Sequence, residues 1–399
     1  MTDQGSRVAI RAGRAFDGRA MIRGGALVLC EGGAIAGMLP GGAPAPDGWP
    51  VADFPGATVL PGMIDCHVHL CGDSLEGALE RLGGYADDEL DAVIEASLRA
   101  QLSAGVTAVR DLGDRRGAVL GWRERARELA LPAIVASGPP ITTARGHCWY
   151  MGGEADDLTA LRAAVRDRAE RGADVVKIMT SGGAMTPGTD VLVCQYTFEQ
   201  VRLVVEEAHA RGLPVTAHAH GLPAVIMAAD AGADGIEHCS CVTGHGIDVP
   251  GPLLEQLAAN RVTVCPTLGR KMTGPLPPAI AEIMRRTGMT WEGRLAMVRE
   301  LHEAGVVIAS GVDAGISPGK PHGFLAGAVG DLVDAGIPSL AALASATSVA
   351  AAACGLGDAK GRLQDGYDAD LVIVGGDPVA DVGALADIRA VYIAGTRVA

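Results

Sequence analysis

Two histidines separated by one residue, His67 and His69, lie in an otherwise apolar stretch of the chain and could bind a metal ion together. Side chains alternate along a β-strand, so residues two apart point to the same side of it. Two neutral imidazoles that converge at the end of a strand can hold a divalent cation. Such pairs also occur as hydrogen-bonded core or surface residues, so the pair alone leaves both interpretations open.

Lys177 lies inside the apolar stretch 174–179, where burial of its ammonium group would be costly unless the charge is paired or removed. A salt bridge is the ordinary solution. The alternative is that CO₂ adds to the neutral amine and gives a carbamate, an anion whose two oxygens could bridge two cations. The two interpretations make different predictions about the neighbours of this side chain.

Three further residues that could bind a metal, His218, His238 and Asp313, follow at the ends of later apolar stretches. Each of them alone is equally well explained by local hydrogen bonding. Six potential ligands at or just beyond strand ends are poorly explained in that way. The sequence therefore predicts a metal centre built from His67, His69, Lys177, His218, His238 and Asp313.

The elements that must position these residues alternate between short apolar stretches and longer stretches of helical periodicity. Parallel β/α units produce this alternation, and eight of them in roughly 250 residues is the typical size of a (β/α)₈ barrel. Active sites of such barrels lie at the carboxyl ends of the strands. The predicted strands are 60–70, 107–112, 133–141, 174–180, 214–220, 235–240, 262–268 and 306–312.

Both ends of the chain instead contain short alternating segments separated by glycine turns, a pattern typical of antiparallel strands. We expect the two ends to pair in space. The predicted fold class is therefore α/β, a (β/α)₈ TIM barrel with a small β-sandwich domain built from both termini. The small domain would comprise residues 1–58 and 360–399, and the metal-binding barrel residues 59–359.

Composition narrows the classes of partner. Lys and Arg number 33 against 47 Asp and Glu, a net charge of −14 that disfavours nucleic acid and anionic membrane surfaces. The N-terminus lacks a targeting pattern, the apolar stretches are too short to span a bilayer, and nine scattered cysteines are typical of reduced thiols. We expect a cytoplasmic protein with a small-molecule substrate and neither nucleic acid nor membrane as partner. Edges of the small β domain could pair subunits, so a homo-oligomer remains an alternative.

Several motifs together resemble the amidohydrolase superfamily, specifically its imidazolonepropionase-like and Xaa-Pro dipeptidase-like branch. The resemblance covers nearly the whole chain, through VLPGMIDCHVH at 59–69, VKI at 176–178, SGG at 181–183, AHAHG at 217–221, GIEH at 235–238, SGVD at 310–313 and GRLQDGYDADLV at 361–372. It implies that one metal ion is held by His67, His69, Lys177 and Asp313. The second would be held by the Lys177 carbamate with His218 and His238. Zinc suits these ligands, with manganese or cobalt as alternatives.

The resemblance implies hydrolysis of an amide. Two divalent ions would supply a nucleophile at neutral pH, polarise a carbonyl and stabilise the oxyanion. Asp313 would accept the proton on attack and return it to the leaving amine. The other catalytic candidates are His147, which in similar sequences lies near the substrate carbonyl, and His220. A surface position is an equally open interpretation of His147.

Substrate choice is less constrained by the sequence. At His220 the dipeptidase-like relatives tend to have a tyrosine that helps to bind the substrate carboxylate, a contact that Arg145, Arg270 or Lys271 could replace. The sequence favours a binuclear metal-dependent hydrolase that cleaves an amide such as a dipeptide or an N-acyl amino acid. The alternatives are hydrolysis of a cyclic amide (imidazolone or lactam) or a lactone, and a non-catalytic barrel protein. A mononuclear deaminase is a further alternative, against which Lys177 argues.

Overall fold

The computed structural model describes residues 7–271, 274, 276 and 278–399. Residues 1–6 lie outside the described residues. The prediction for the start of the small domain and the prediction about a targeting pattern both fall partly on them. Within the described part of the chain, no helix combines the length and apolarity needed to cross a membrane.

Strands and helices follow each other along most of the chain. The strands are β1 (Arg7–Phe16), β2 (Met21–Ile22), β3 (Ala26–Glu31), β4 (Ala34–Pro40), β5 (Val51–Pro61), β6 (Met63–Val68), β7 (Val106–Asp111), β8 (Ala133–Ala136), β9 (Val176–Met179), β10 (Val215–Gly221), β11 (Gly235–Thr243), β12 (Gly246–Ile247), β13 (Thr263–Cys265), β14 (Val307–Ile308), β15 (Leu371–Gly375), β16 (Ile388–Ile393) and β17 (Thr396–Arg397). The α-helices are α1 (Ala78–Arg81), α2 (Asp87–Ser103), α3 (Trp122–Glu128), α4 (Leu158–Glu170), α5 (Phe198–His209), α6 (Leu222–Asp230), α7 (Gly251–Ala259), α8 (Pro278–Thr287), α9 (Trp291–Glu303), α10 (Leu325–Asp334), α11 (Ser339–Ser345) and α12 (Ser348–Ala353).

Strands from both ends of the chain build one sheet, in the order β17-β16-β15-β5-β1-β3-β4, with β2 paired to β1. The two ends meet where β5 pairs in parallel with β1 and antiparallel with β15, so that Pro61 lies opposite Leu371. Buried aliphatic side chains such as Ile10, Val59 and Ile373 form a core of their own beneath this sheet. Burial of these side chains stabilises the pairing of segments that are more than 300 residues apart.

The central part of the chain forms two parallel sheets. One has the order β6-β7-β8, and the other has the order β14-β13-β11-β10-β9, with β12 paired to β11. Isolated parallel bridges link the two sheets at both edges, between Ile141 and Ile178 and between Val68 and Ala314. Helices connect the parallel strands, which confirms the predicted α/β class.

Helix α5 illustrates how the local sequence forms these connections. The Thr197 side chain accepts a hydrogen bond from the Gln200 amide, and Gln200 reciprocates at the Thr197 amide, forming a capping box. Val201, Val204 and Ala208 recur at helical spacing and are buried against the sheet. The apolar face predicted from the sequence is therefore the face that packs.

The predicted strand 60–70 is wrong as a single element. The Gly62 amide donates to the Asp370 carbonyl just before β15 of the small sheet, whereas the next amide, that of Met63, donates to the Gly105 carbonyl just before β7 of the parallel sheet. A Cβ atom at Gly62 would lie 2.0 Å from the Thr107 hydroxyl, so any larger residue here would force the buried Thr107 side chain to move. The chain therefore passes from β5 to β6 within one residue.

The predicted strands 262–268 and 306–312 are also longer than the observed β13 and β14. Beyond the two strands the backbone leaves the β region, with φ of 48° at Thr267 and 64° at Asp313. Both segments leave the sheet just where their side chains reach the site.

Candidate metal centre

One cavity of about 540 Å³ collects every predicted ligand. The strands that carry them end at the same side of the parallel sheets, as parallel strands joined by helices require. All of these side chains are buried. The predicted ligands that line the cavity are His67, His69, Lys177, His218, His238 and Asp313.

His67, His69 and Asp313 form a first group of candidate ligands. Asp313 Oδ1 lies 3.4 Å from His67 Nε2 and 3.2 Å from His69 Nε2. Metal–ligand bonds of about 2.0–2.1 Å at tetrahedral angles would separate two ligand atoms by about 3.3 Å. The spacing within this group therefore fits a shared divalent cation.

His218, His220 and His238 form a second group, whose potential ligand atoms all lie within 4.8 Å of one another. The ring centroids of His218 and His238 are 4.7 Å apart, and that of His238 is 5.4 Å from His67 in the first group. The two groups are thus neighbours in one cavity. The structure places His220, predicted as a catalytic residue, inside the second group.

Two candidate ligands have unusual backbone conformations. His238 has a φ of 65° and Asp313 a φ of 64°, values in the left-handed region that residues other than glycine adopt uncommonly. Such conformations persist where the surrounding structure enforces them, and they cluster at functional sites. The backbone at both positions therefore turns the side chain out of the regular alternation of a strand.

The Lys177 amine is the most unusual polar group in the cavity. It is almost fully buried, and its Nζ has no hydrogen-bond partner among the described residues. Burial lowers its pKa, which favours the neutral amine. The salt bridge that would be the ordinary solution is therefore not formed within the described part of the chain.

Hydrogen-bond partners at the Nδ1 atoms fix the orientation of the His67 and His69 rings. His67 Nδ1 lies 2.8 Å from Glu237 Oε2, and His69 Nδ1 donates to the Gly113 carbonyl at 2.8 Å. With protons on these Nδ1 atoms, both Nε2 atoms are left for a metal ion. The Glu237 carboxylate also accepts hydrogen bonds from Arg110 at 3.0 Å and from the Thr216 hydroxyl at 2.6 Å.

Sequence reasoning missed Glu237 as a functional residue. Regular alternation along β11 would send Glu237 and His238 to opposite sides, but the left-handed φ at His238 brings both towards His67. The available signal was a carboxylate inside the apolar stretch 235–242. A buried carboxylate needs a partner, and a neighbouring metal-binding histidine is one.

The electrostatics of the cavity favour metal-binding protonation states at most of the candidate ligands. His69 is the exception, because burial would lower its pKa but the hydrogen bond and charge of Asp313 outweigh burial and raise it. Burial lowers the pKa of His67 to about 4 and that of His220 to about 3, and it holds the pKa values of His218 and His238 well below the usual range. Burial would raise the pKa of Asp313, but the neighbouring His67 and His69 outweigh it and lower that pKa. Neutral imidazoles and an ionised carboxylate are the forms that bind divalent cations.

The remaining predicted residues are divided between the cavity and its surroundings. His147 is buried in the cavity wall, where its Nδ1 lies 2.9 Å from the Thr186 hydroxyl, so the surface interpretation is wrong. Arg270 and Lys271 also line the cavity. Arg145 lies over the Trp149 ring, its guanidinium carbon 5.6 Å from the centroid.

The outer part of the cavity combines apolar and basic side chains. Its walls include Met185, Ile283 and Trp291. Two basic residues that sequence reasoning missed, Arg294 and Lys320, line the same cavity. Arg294 donates to the Pro266 carbonyl and Lys320 Nζ to the Thr267 carbonyl, and Arg294 Nε has no partner among the described residues.

Comparison with known proteins assigns the family. The model of the family described as "Amidohydrolase family" matches residues 58–398. The chain belongs to the amidohydrolase family. Among solved structures, this amidohydrolase is similar to a Xaa-Pro dipeptidase with bound methionine in its active site, at 27% identity and a TM-score of 0.86, over 98% of this chain and 100% of the other.

Two relatives illustrate the range of named activities in the family. This amidohydrolase is 28% identical to an imidazolonepropionase of Rhizorhabdus wittichii, over 92% of this chain and 91% of the relative. It is 26% identical to an ochratoxinase of Aspergillus niger, over 84% of this chain and 73% of the relative. The family and these named enzymes show that the chain is a hydrolase, and the predicted branch is confirmed.

Proposed function

We propose that this amidohydrolase is a binuclear metal-dependent hydrolase that cleaves the amide C–N bond of a small molecule such as a dipeptide or an N-acyl amino acid. The observation that carries the proposal is the buried Lys177 amine, which has no hydrogen-bond partner among the described residues and lines the same cavity as two groups of three candidate ligands. Their common cavity supports a position of the Lys177 amine between the two groups. A carbamate on Lys177 would supply both groups with an oxygen.

The residues present fit two divalent ions. His67, His69 and Asp313 would hold one ion, His218 and His238 the other, and the Lys177 carbamate would bridge them. Nitrogen and oxygen donors of this kind favour zinc, and manganese or cobalt are alternatives. When bound, such ions activate water and polarise the carbonyl of the substrate.

Side chains of the chain itself would perform the proton transfers and position the substrate. Asp313, ionised in the cavity, would take the proton of the attacking water and deliver it to the leaving nitrogen. His147, which is held by the Thr186 hydroxyl, would donate a hydrogen bond to the substrate carbonyl oxygen. The apolar wall around Met185 and Ile283 would exclude water from the reaction.

The basic residues support a substrate that carries a carboxylate. Arg294 and Lys320 bring positive charge into a cavity of a protein with a net charge of −14. A buried cation is costly unless it meets an anion, and the carboxylate of an amino acid would provide one. This feature favours a dipeptide or an N-acyl amino acid over a neutral lactam. Hydrolysis of an imidazolone or lactone is the alternative, which the imidazolonepropionase relative supports.

We also infer that the two parallel sheets close into one (β/α)₈ barrel. The isolated bridges at both edges, Ile141 with Ile178 and Val68 with Ala314, support this closure. The remaining parts of the proposal are a small β-sandwich domain of residues 1–58 and 360–399, a barrel of residues 59–359 and a cytoplasmic location. Nine free cysteines, eight of them buried, support a reducing compartment.

A panel of matched substrates tests the proposed function. The purified protein, loaded with zinc, is offered N-acyl amino acids, dipeptides, lactams and lactones, together with decarboxylated analogues of the N-acyl amino acids. We expect hydrolysis of the amides that carry a carboxylate, at least tenfold weaker activity on the decarboxylated analogues, and loss of activity with a chelator. Hydrolysis of lactams or lactones alone, or activity that survives chelation, would overturn the proposal.

A further inference from the structure

Helix α8 (Pro278–Thr287) turns an apolar face towards the cavity of the candidate metal centre. Ile280 lies three residues before Ile283 and four before Met284, so the three side chains share one side of the helix. All three are half-buried and line the cavity. Thr287 is the one fully buried residue of α8, every position of which is described.

The apolar face of α8 has no core to pack against. Helix α5, by contrast, buries Val201, Val204 and Ala208 completely. The three apolar side chains of α8 neither belong to nor pack against a hydrophobic core formed by the described residues. A contiguous apolar surface that remains uncovered in a concave site marks a position for a ligand.

Charged side chains occupy the opposite side of α8. Glu282 and Arg285 form an exposed ion pair at 2.6 Å within the helix. Arg286 makes two hydrogen bonds of 2.6 and 2.7 Å to the Asp190 carboxylate, in the segment that follows β9. The same segment contributes Met185 to the cavity wall. The polar side of α8 therefore faces solvent and the segment after β9, while its apolar side faces the cavity.

Other elements continue the apolar wall around this face. Val242 of β11, Met289 and Trp291 line the same cavity as α8, which also contains the basic side chains of Arg294 and Lys320. The cavity volume of about 540 Å³ lies in the range that encloses most of a drug-sized ligand. A substrate that consisted of little more than an amide and a carboxylate would leave this apolar wall in contact with water.

We propose that the substrate carries a large apolar group, branched aliphatic or aromatic, in addition to its carboxylate, and that the apolar face of α8 binds this group. The inference rests on the proposed function for the amide and the carboxylate, and it narrows the class of substrate. The occupant is a small molecule, because the face is turned to the interior of the cavity that holds the candidate ligands. Ile283 and Met284 are then specificity-determining residues.

A set of amides that share a carboxylate tests the inference. Acetyl-glycine and glycyl-glycine have no large apolar group, whereas acetyl-leucine, benzoyl-glycine and leucyl-leucine carry one. The zinc-loaded protein should hydrolyse at least one of the last three with a kcat/KM higher on the order of 10–100-fold. Calorimetric titration of the chelator-treated protein with the same compounds measures their binding without hydrolysis, and it should show the same order of affinity.

Ile283→Gln and Met284→Gln place a polar side chain on the apolar face and keep a good helix former. Each should lower the ratio of kcat/KM between the apolar and the small substrates about tenfold, with a urea midpoint like that of wild type, because neither side chain is part of the core. Ala281→Gln is the matched control, since Ala281 is an exposed residue of the same helix outside the cavity wall. This variant should keep the wild-type ratio.

Four outcomes decide the matter. A loss of the preference in both cavity-facing variants but not in Ala281→Gln supports the inference. Equal kcat/KM and equal affinity across the five compounds in wild type would overturn it and leave the proposed function standing. An equal loss of activity on all five compounds in the cavity-facing variants would also overturn it, because α8 would then only exclude water. If wild type hydrolyses none of the five, the proposed function is overturned, and binding to the metal-free protein still decides whether α8 recognises an apolar group.

Discussion

Replacement of Glu237 by glutamine should destabilise the protein strongly, because it removes the charge that neutralises a buried arginine. Glu237 Oε1 lies 3.0 Å from Arg110 Nη2, and the side chains of Glu237 and Arg110 are 0% and 6% exposed. Removal of one partner of such a buried pair costs about 3–5 kcal/mol. Arg110 keeps its hydrogen bonds to the Cys66 and Ala353 carbonyls, so we expect the lower end of this range.

The assay is urea unfolding of the chelator-treated protein, followed by circular dichroism, since bound metal would add its own stabilisation. Arg110→Met and the double variant with Glu237→Gln complete a double-mutant cycle. We expect Glu237→Gln to be less stable than the double variant, because the double variant leaves no unpaired buried charge. A loss of less than about 1 kcal/mol in Glu237→Gln, or a double variant less stable than both single variants, would refute this reasoning.

Three further predictions concern other parts of the molecule. Lys177→Ala should lose the metal pair and activity, with partial rescue by small carboxylates; wild-type metal content and rate would show that the carbamate assignment is wrong. Gly183→Ala should lower kcat on the order of 100-fold with metal content unchanged, because the new Cβ would lie 2.4 Å from the His147 ring, and steady-state kinetics with metal analysis would check this. Lys360→Met should lower the free energy of unfolding by about 1–3 kcal/mol, since Lys360 Nζ lies 2.5 Å from Asp370. Burial lowers the pKa of Lys360 and the adjacent carboxylates raise it, with a net increase above 10.5. The contribution of Lys360 to the free energy of unfolding should therefore be complete below pH 10.5 and disappear as the pH rises through the folded-state pKa. Urea midpoints that fall equally in wild type and variant at high pH would contradict this prediction.

Local patterns in the sequence are sufficient for the α/β class and for the collection of six candidate ligands in one cavity. His67 and His69 illustrate why, because strand alternation fixes their common direction whatever the details of the barrel. Lys177 is a second example, since a lysine inside an apolar strand must be buried wherever the strand lies. The pairing of the two chain ends followed from alternation in both segments.

Features that depend on contacts between distant segments could not be predicted in this way. The division of 60–70 at Gly62 follows from its packing on Thr107, and the position of Glu237 beside His67 follows from the pairing of neighbouring strands. A left-handed φ at His238 overrides the alternation on which strand reasoning relies. Arg294 was missed because a helical arginine is ordinarily solvated.

The central proposal is that this amidohydrolase holds two metal ions, one at His67, His69 and Asp313 and the other at His218 and His238, with a carbamate on Lys177 between them. The most direct test is elemental analysis of the purified protein after expression with zinc and gel filtration against metal-free buffer. The account predicts about two equivalents of divalent metal per chain. A content of one equivalent or less would contradict the binuclear centre.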